Sequence, residues 1–472
     1  MSIARGRRAL ALLATLAVVG LVALAGRAQT VDAERSRTLT VGLPPGARAE
    51  QVDAARTSLS RTRLPASGLR VAWRAPAGAP LEHAPLVDAR GTTYAVTMRG
   101  DALAVGPDGA ERWRSPTGGL GPGPATLLAD DTLVFVDATG VAIAVREGTV
   151  RWRAKIGAAD PDRPAPLPLV DGGVVVATSR EVSVLDAEGH ERARTTFPEP
   201  CFGPLISALG RVVAVATSGV VWAWAPGAPE PTRAGSFISA PDSDAAMADD
   251  HTLVAVVGGR TTLAAVDLLH GTTASRAIAP GGVWRGAPAM RGAMATLVLA
   301  SPSGESALSL DASGRELSRA LLFARSGLAR GDAGAPPAGP AAAEPLLIDP
   351  GGTLVFTTPE GAFGASPMGA SSDPPVEVLT DVCPRPGALG GAPQGQSPVA
   401  GLAPLATGSF VAACRSGTLV AIAGSVSSPS AAPSTPAPPD EGPPRHAPPS
   451  PPAAAAPPAS VERSGKTAPG AL

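Results

Sequence analysis

Short apolar runs rich in Val, Ala and Leu recur through the middle of the chain, each closed by Gly, Asp, Pro or Ser. From Pro85 the order reads "PLVDARGTTYAVTMRGDALAVGPDGAERWR", and from Pro124 it returns as "PATLLADDTLVFVDATGVAIAVREGTVRWR". Runs this short, bounded by turn formers and enriched in β-branched residues, predict strands. A helix would need apolar positions at spacings of three and four over a longer stretch. Each unit thus predicts three apolar strands and, after a glycine, a fourth and more polar one. The same order follows from Pro168, Pro204, Ala245 and Pro288, and more loosely from Pro345 and Pro404, making eight units.

Glycine supplies the positive φ that a tight hairpin turn demands. Gly109, Gly148, Gly189, Gly271 and Gly314 each stand five residues before an arginine: Arg114, Arg153, Arg194, Arg276 and Arg319. That arginine falls on the outermost strand, where a charge is expected to block edge-to-edge pairing with other chains. The Trp-Arg pairs at Trp73, Trp113 and Trp152 recur at steps of 40 and 39, but the first has no strands before it.

One small antiparallel sheet cannot bury both faces, so tandem copies of about 40 residues predict sheets packed around a ring. The eighth unit has three strands and no fourth, and the orphan "LRVAWRAPAG" at 69–78 supplies it from the other end of the chain. The expected fold is all-β: an eight-bladed β-propeller of four-stranded antiparallel blades over 69–425, closed by an N-terminal strand in the last blade.

The flanks differ in kind. Arg5, Arg7 and Arg8 precede an uncharged run from Ala9 to Gly26, with small residues around Ala28. Residues 1–28 are expected to be a signal peptide or a membrane anchor, both of which place the remainder outside the cytoplasm. Residues 29–68 read as a linker and 426–472 as a disordered Pro/Ala-rich tail, because proline and small residues bury too little to fold. The stretches 330–344 and 383–398 read as surface loops. A net charge of −1 with 3% aromatic residues gives no basic field and few stacking platforms, which argues against nucleic acid.

Segments such as "VVVATSREVSVLDAEGHERARTTFP" and "ALSLDASGRELSR" resemble the repeat of the pyrroloquinoline-quinone-like propellers. That family includes eight-bladed quinoprotein dehydrogenases and non-enzymatic outer-membrane assembly propellers of the BamB type. The dehydrogenases carry adjacent cysteines over the cofactor and an Asn/Glu/Asp set around calcium. This chain has Cys201, Cys383 and Cys414 far apart and no asparagine. No quinone, other cofactor or metal is therefore expected.

Other candidate chemistry is sparse. Asp130 and Asp131, and Asp249, Asp250 and His251, recur at the same repeat position, which reads as turn chemistry more than as a calcium site. Gly465, Lys466 and Thr467 end a phosphate-loop pattern that lacks its leading glycine. Glu82 and His83, just before the first inner strand, are the candidate residues of a binding face. Cys383 and Cys414 are the candidate disulfide, both being assigned to the last blade, which leaves Cys201 as a free thiol. The expected function is a monomeric, non-enzymatic binding or scaffold propeller of the cell envelope with protein partners. It would touch the membrane only through the N-terminal segment. A quinoprotein-like oxidoreductase and a glycan-binding propeller are the alternatives.

Overall fold

A computed structural model describes residues 47–49, 52–53, 55–161, 163–277, 282–301, 304–311, 314–324, 346–358, 361–368, 376–383 and 397–426. The N-terminal apolar run, the C-terminal tail with Gly465, Lys466 and Thr467, the loop at 330–344 and most of the loop at 383–398 lie outside them. Eight four-stranded antiparallel sheets follow one another as an eight-bladed propeller. In blade 1 the inner strand is Leu86–Val87, followed outward by Thr93–Val96, Asp101–Val105 and Glu111–Pro116. Blade 8 runs outward through Val399–Pro404, Ser409–Cys414 and Thr418–Ser425, and its outer strand is Ser67–Pro76 from the start of the ring. Arg74 pairs with Val420 and Ala75 with Leu419, so the last blade is closed from both ends of the chain.

Burial explains why the strands are apolar on both sides. Second strands such as Leu133–Val136 and Val174–Ala177 are buried at every residue, because each blade is sandwiched between two others. Outer strands are polar and largely exposed, as in Thr149–Lys155. Apolar clusters form between neighbouring sheets. One unites Tyr94 and Ala104 of blade 1 with Phe135 and Ile143 of blade 2.

The Trp-Arg pair locks blades to both neighbours. Trp73, on blade 8, covers the glycine turn of blade 1: a Cβ on Gly109 would lie 2.8 Å from the Trp73 ring, and the Trp73 indole donates to Pro107 O at 3.0 Å. Trp152 of blade 2 does the same for blade 3, with Gly189 beneath the ring and a 2.9 Å bond to Ala187 O. The arginine reaches the other way. Arg114 donates to Pro76 O at 3.2 Å and Ala77 O at 2.5 Å, Arg194 to Ile156 O at 3.1 Å, Arg74 to Val382 O at 2.7 Å, and Arg153 to Thr117 O. These arginines serve as links to the preceding blade, beyond the edge protection read from the sequence.

The described residues between 47 and 66, read in the sequence as part of a linker, are built into the ring. Ala47, Arg48, Ala49, Arg56, Ser60 and Leu64 are all buried. The difference from the sequence reading is physical. The segment is held by main-chain hydrogen bonds to inner strands, which its side-chain composition does not advertise.

Candidate functional site

The two faces of the ring carry different loops. One holds the turns from inner to second strand and from third to outer strand; the other holds the second-to-third turns and the connectors between blades. The described residues between 47 and 66 lie along the first face, where the inner strands end. Val87 N donates to Ala47 O at 2.9 Å and Leu127 N to Arg48 O at 2.7 Å. Met247 N donates to Ala55 O at 3.0 Å, Met290 N to Thr57 O at 2.7 Å and Ile348 N to Ser58 O at 3.1 Å. Gly408 N donates to Arg63 O at 2.8 Å. These bonds reach blades 1, 2, 5, 6, 7 and 8.

Arg56 supplies the remaining two. Its guanidinium is fully buried and donates from Nε to Leu205 O at 3.0 Å and from Nη2 to Pro166 O at 2.9 Å and Ala165 O at 3.3 Å, at the inner strands of blades 4 and 3. A buried cation needs such acceptors, and carbonyl oxygens at the strand ends provide them. Arg48 is fixed similarly, by Leu128 O and by Asp131 at 2.6 Å, with Arg90 on the other Asp131 oxygen at 3.1 Å. The segment therefore plugs the axis at this face and staples all eight blades together.

The turn aspartates act locally. Asp249 accepts from His251 N at 2.9 Å and Thr252 N at 2.6 Å. Asp130 accepts from Thr132 N at 3.1 Å and pairs with Arg146 at 2.8 Å. Asp131 does more than shape its turn, since it anchors the plug through Arg48. Among the described residues, no three His, Cys, Asp or Glu side chains are grouped to hold a metal ion.

The connector face carries an open mouth. A cavity of about 270 Å³ is lined by His83, Arg163, Phe202 and Asp244, among others. His83 Nε2 lies 3.2 Å from Pro122 O, so this nitrogen carries the proton and donates. Burial, with Arg163 nearby, holds the His83 pKa at about 4, and the ring is neutral at pH 7. Glu82 pairs instead with Arg415 of blade 8. The two neighbours in sequence are thus brought to one face but turned to different tasks: one ties the ring closure, the other borders the mouth.

Cys383 and Cys414 have Cα atoms 5.3 Å apart and are joined as a disulfide. Cys414 ends the second strand of blade 8, whereas Cys383 follows the outer strand of blade 7 (Glu377–Leu379), so the bridge ties blade 8, in which the ring closes, to the end of blade 7. Cys201 is buried and free, and burial pushes its thiol up to about 12. A buried, protonated thiol of this kind is not a nucleophile.

The quinone and calcium found in part of the resembling family require oxygen ligands converging on one point. At the plugged end the axis holds main chain and the Arg56 guanidinium, and the grouped carboxylates that calcium needs are not assembled among the described residues. The residues present do not fit that pair.

Sequence reasoning missed the plug. The only signal it offered was the alternation of Ser58, Leu59 and Ser60 within a stretch otherwise rich in Ala and Arg.

Comparison with known proteins agrees with this architecture. Residues 65–276 match the family model described as outer membrane protein assembly factor BamB, a span just under half of the chain. No curated protein sequence matches. Among solved structures, BamB from Moraxella catarrhalis is similar at 16% identity and a TM-score of 0.48, covering 76% of this chain and 98% of that one. Quinohemoprotein alcohol dehydrogenase from Comamonas testosteroni is similar at 10% identity and a TM-score of 0.59, covering 85% of each chain. At such identity the likeness is one of fold. With eight four-stranded blades, an outer strand contributed from the N-terminal side and a repeat over 65–276 matched by the BamB model, the chain is an eight-bladed β-propeller whose repeat is similar to that of the pyrroloquinoline-quinone-like propellers.

Proposed function

We propose that this protein is a non-enzymatic binding module of the bacterial cell envelope that holds protein partners on its loop-bearing surfaces. The observation that carries this reading is the plug. An enzyme of ring form gains from an axis that can enclose a ligand, and here one end of the axis is taken by residues 55–64. What remains for recognition is the rim and the connector face around Glu82 and His83. Three large apolar side chains stand exposed in its loops: Met98, Leu120 and Ile238. The family model's description, an outer membrane assembly factor, favours protein partners in the envelope over a small substrate.

Crosslinking the full chain in intact envelopes tests the reading. Specific partners should be recovered and then lost when Leu120 and Ile238 are changed to Glu; recovery of the same proteins by both forms would reject this face as the binding surface. The quinoprotein reading is tested separately by titrating the purified protein with pyrroloquinoline quinone and calcium. No saturable spectral change is expected, and a stoichiometric change with dye-linked alcohol or sugar oxidation would replace the scaffold reading by an enzyme.

A further inference from the structure

The tryptophans of the Trp-Arg pairs are not all provided for. Trp73 and Trp152 each cover the hairpin glycine of the next blade and donate to a main-chain carbonyl of that hairpin, Pro107 O at 3.0 Å and Ala187 O at 2.9 Å. Trp113 meets a different hairpin, that of blade 2. Blade 1 has five residues (106–110) between the paired Val105 and Glu111, and blade 3 has five (186–190) between Leu185 and Glu191. Blade 2 has four (146–149) between Val145 and Val150, and of these Arg146 and Thr149 are themselves paired. Glu147 and Gly148 are left as a two-residue turn, with φ of 50° and 76°. Arg146 stands two residues before the glycine, as Pro107 and Ala187 do, but it is drawn into the ladder.

The short turn leaves a hole. A cleft of about 560 Å³ opens between blades 1 and 2, bordered by Tyr94, Pro107 and Trp113 with Arg90, Arg112 and Arg146 around them. Trp113 is half-buried, and its indole N–H has no hydrogen bond among the described residues. Its ring also stands further from its glycine. A Cβ on Gly148 would lie 3.2 Å from Trp113, against 2.8 Å for Gly109 and Trp73 and 2.6 Å for Gly189 and Trp152. Tyr94 donates its hydroxyl to Asp88 at 3.1 Å and so offers the cleft only a ring. The charges around the cleft are matched: Arg90 with Asp131 at 3.1 Å, Arg112 with Asp108 at 2.9 Å and Arg146 with Asp130 at 2.8 Å. Arginines already paired leave no excess of positive charge for an anion, and the cleft's open feature is one N–H donor beside apolar rings.

We propose that this cleft binds a proline-bearing segment of a partner polypeptide, with a main-chain carbonyl taking the Trp113 N–H and a proline ring lying against Trp113 and Pro107. The carbonyl is inferred from what the chain itself supplies to Trp73 and Trp152, and the proline from Pro107, which fills that place beneath Trp73. Proline-rich backbone suits a site with one free donor, since its carbonyls are unpaired, it lacks the N–H that would need an acceptor, and little entropy is lost on binding. The cleft lies among the turns of the plugged face, so the inference does not depend on binding at the connector face.

Titration of the full chain with acetyl-Ala-Pro-Pro-Ala-Pro-amide, followed by the indole N–H resonances of protein carrying ¹⁵N-tryptophan, tests it. The six tryptophans give six such resonances, and Trp113→Phe assigns one of them. That resonance should shift saturably. The same peptide with glycine or aspartate in place of proline, and cellotriose, should bind at least tenfold more weakly. Inserting one alanine between Arg146 and Glu147 restores a five-residue hairpin and should abolish binding. Trp113→Phe keeps most of the apolar contact and should weaken binding about fivefold by calorimetry, the scale of one hydrogen bond between neutral groups. If the insertion fails to fold, Trp113→Phe decides. The proposal is overturned if the proline peptide does not saturate, if it leaves the Trp113 resonance in place, if a control probe binds as tightly, or if Trp113→Phe binds like the parent.

Discussion

Arg56→Ala probes the plug where it is most deeply held. The side chain is fully buried and donates three hydrogen bonds to carbonyl oxygens of blades 3 and 4. At ~1.5 kcal/mol for each bond from a charged donor, their loss would total ~4–5 kcal/mol. Part of this is returned, because a guanidinium no longer has to be desolvated and the freed carbonyls can take water. A net local cost of about 3 kcal/mol is expected, equivalent to roughly a hundredfold in an opening equilibrium. A ring of this size need not unfold in two states, so a single melting temperature is a poor gauge. Hydrogen exchange is the better assay, because it reports opening segment by segment. The amides of Met247 and Met290 donate to Ala55 O and Thr57 O on either side of Arg56. They should lose protection about a hundredfold, while amides inside a blade, such as Val175 in its ladder with Val184, keep theirs. Unchanged protection at Met247 and Met290 would show that the segment is not held by Arg56, and the staple argument would fail.

Four further outcomes are expected. Removing residues 67–76 exposes the Thr418–Ser425 edge and should cause aggregation or a lowered melting temperature, while Trp73→Ala alone should cost roughly 2 kcal/mol for a half-buried ring; a deletion that melts unchanged would refute ring closure. Non-reducing digestion should yield a Cys383–Cys414 linked peptide, and reduction should destabilise the ring by about 3–4 kcal/mol for a loop of 31 residues; both cysteines found alkylated without reductant would reject the bridge. Cys201 should resist alkylation at pH 8 until the chain is unfolded, since its thiol stays protonated up to about 12; labelling of the native chain at the rate of a free thiol would contradict its burial. His83 has its pKa lowered from 6.5 to about 4, so the unfolded chain binds the extra proton in that window. Stability is then fully present above pH 6.5 and falls as the pH drops toward 4, by on the order of 1–3 kcal/mol, and His83→Gln should flatten that slope in urea titrations.

The strands, their grouping in fours and the ring they imply were legible in the sequence, because burial between two sheets imposes apolar runs and each hairpin imposes its glycine. Ring closure was legible too, since the orphan strand at 69–78 and the unit short of one strand fit each other. Three matters were settled only by the tertiary structure. Spacing from the turn glycine places Arg276 level with Arg114. Blade 5 pairs its outer strand without the bulge that blade 1 has between Ala104 and Val105, and the row opposite Ala265 is Ala274 where blade 1 has Trp113. A shift of one residue turns a strand side chain to the other face, so Arg276 meets blade 6 where Arg114 meets the blade behind it. The disulfide likewise joins two blades instead of lying in one, because Cys383 sits at the end of blade 7 before the chain turns inward. The plug was the least legible. Its contacts are made by main-chain groups that every residue possesses and by two arginines, Arg48 and Arg56, the latter with carbonyl partners 109 to 149 residues away, so composition carried no trace of them until the ring had brought eight strand ends together.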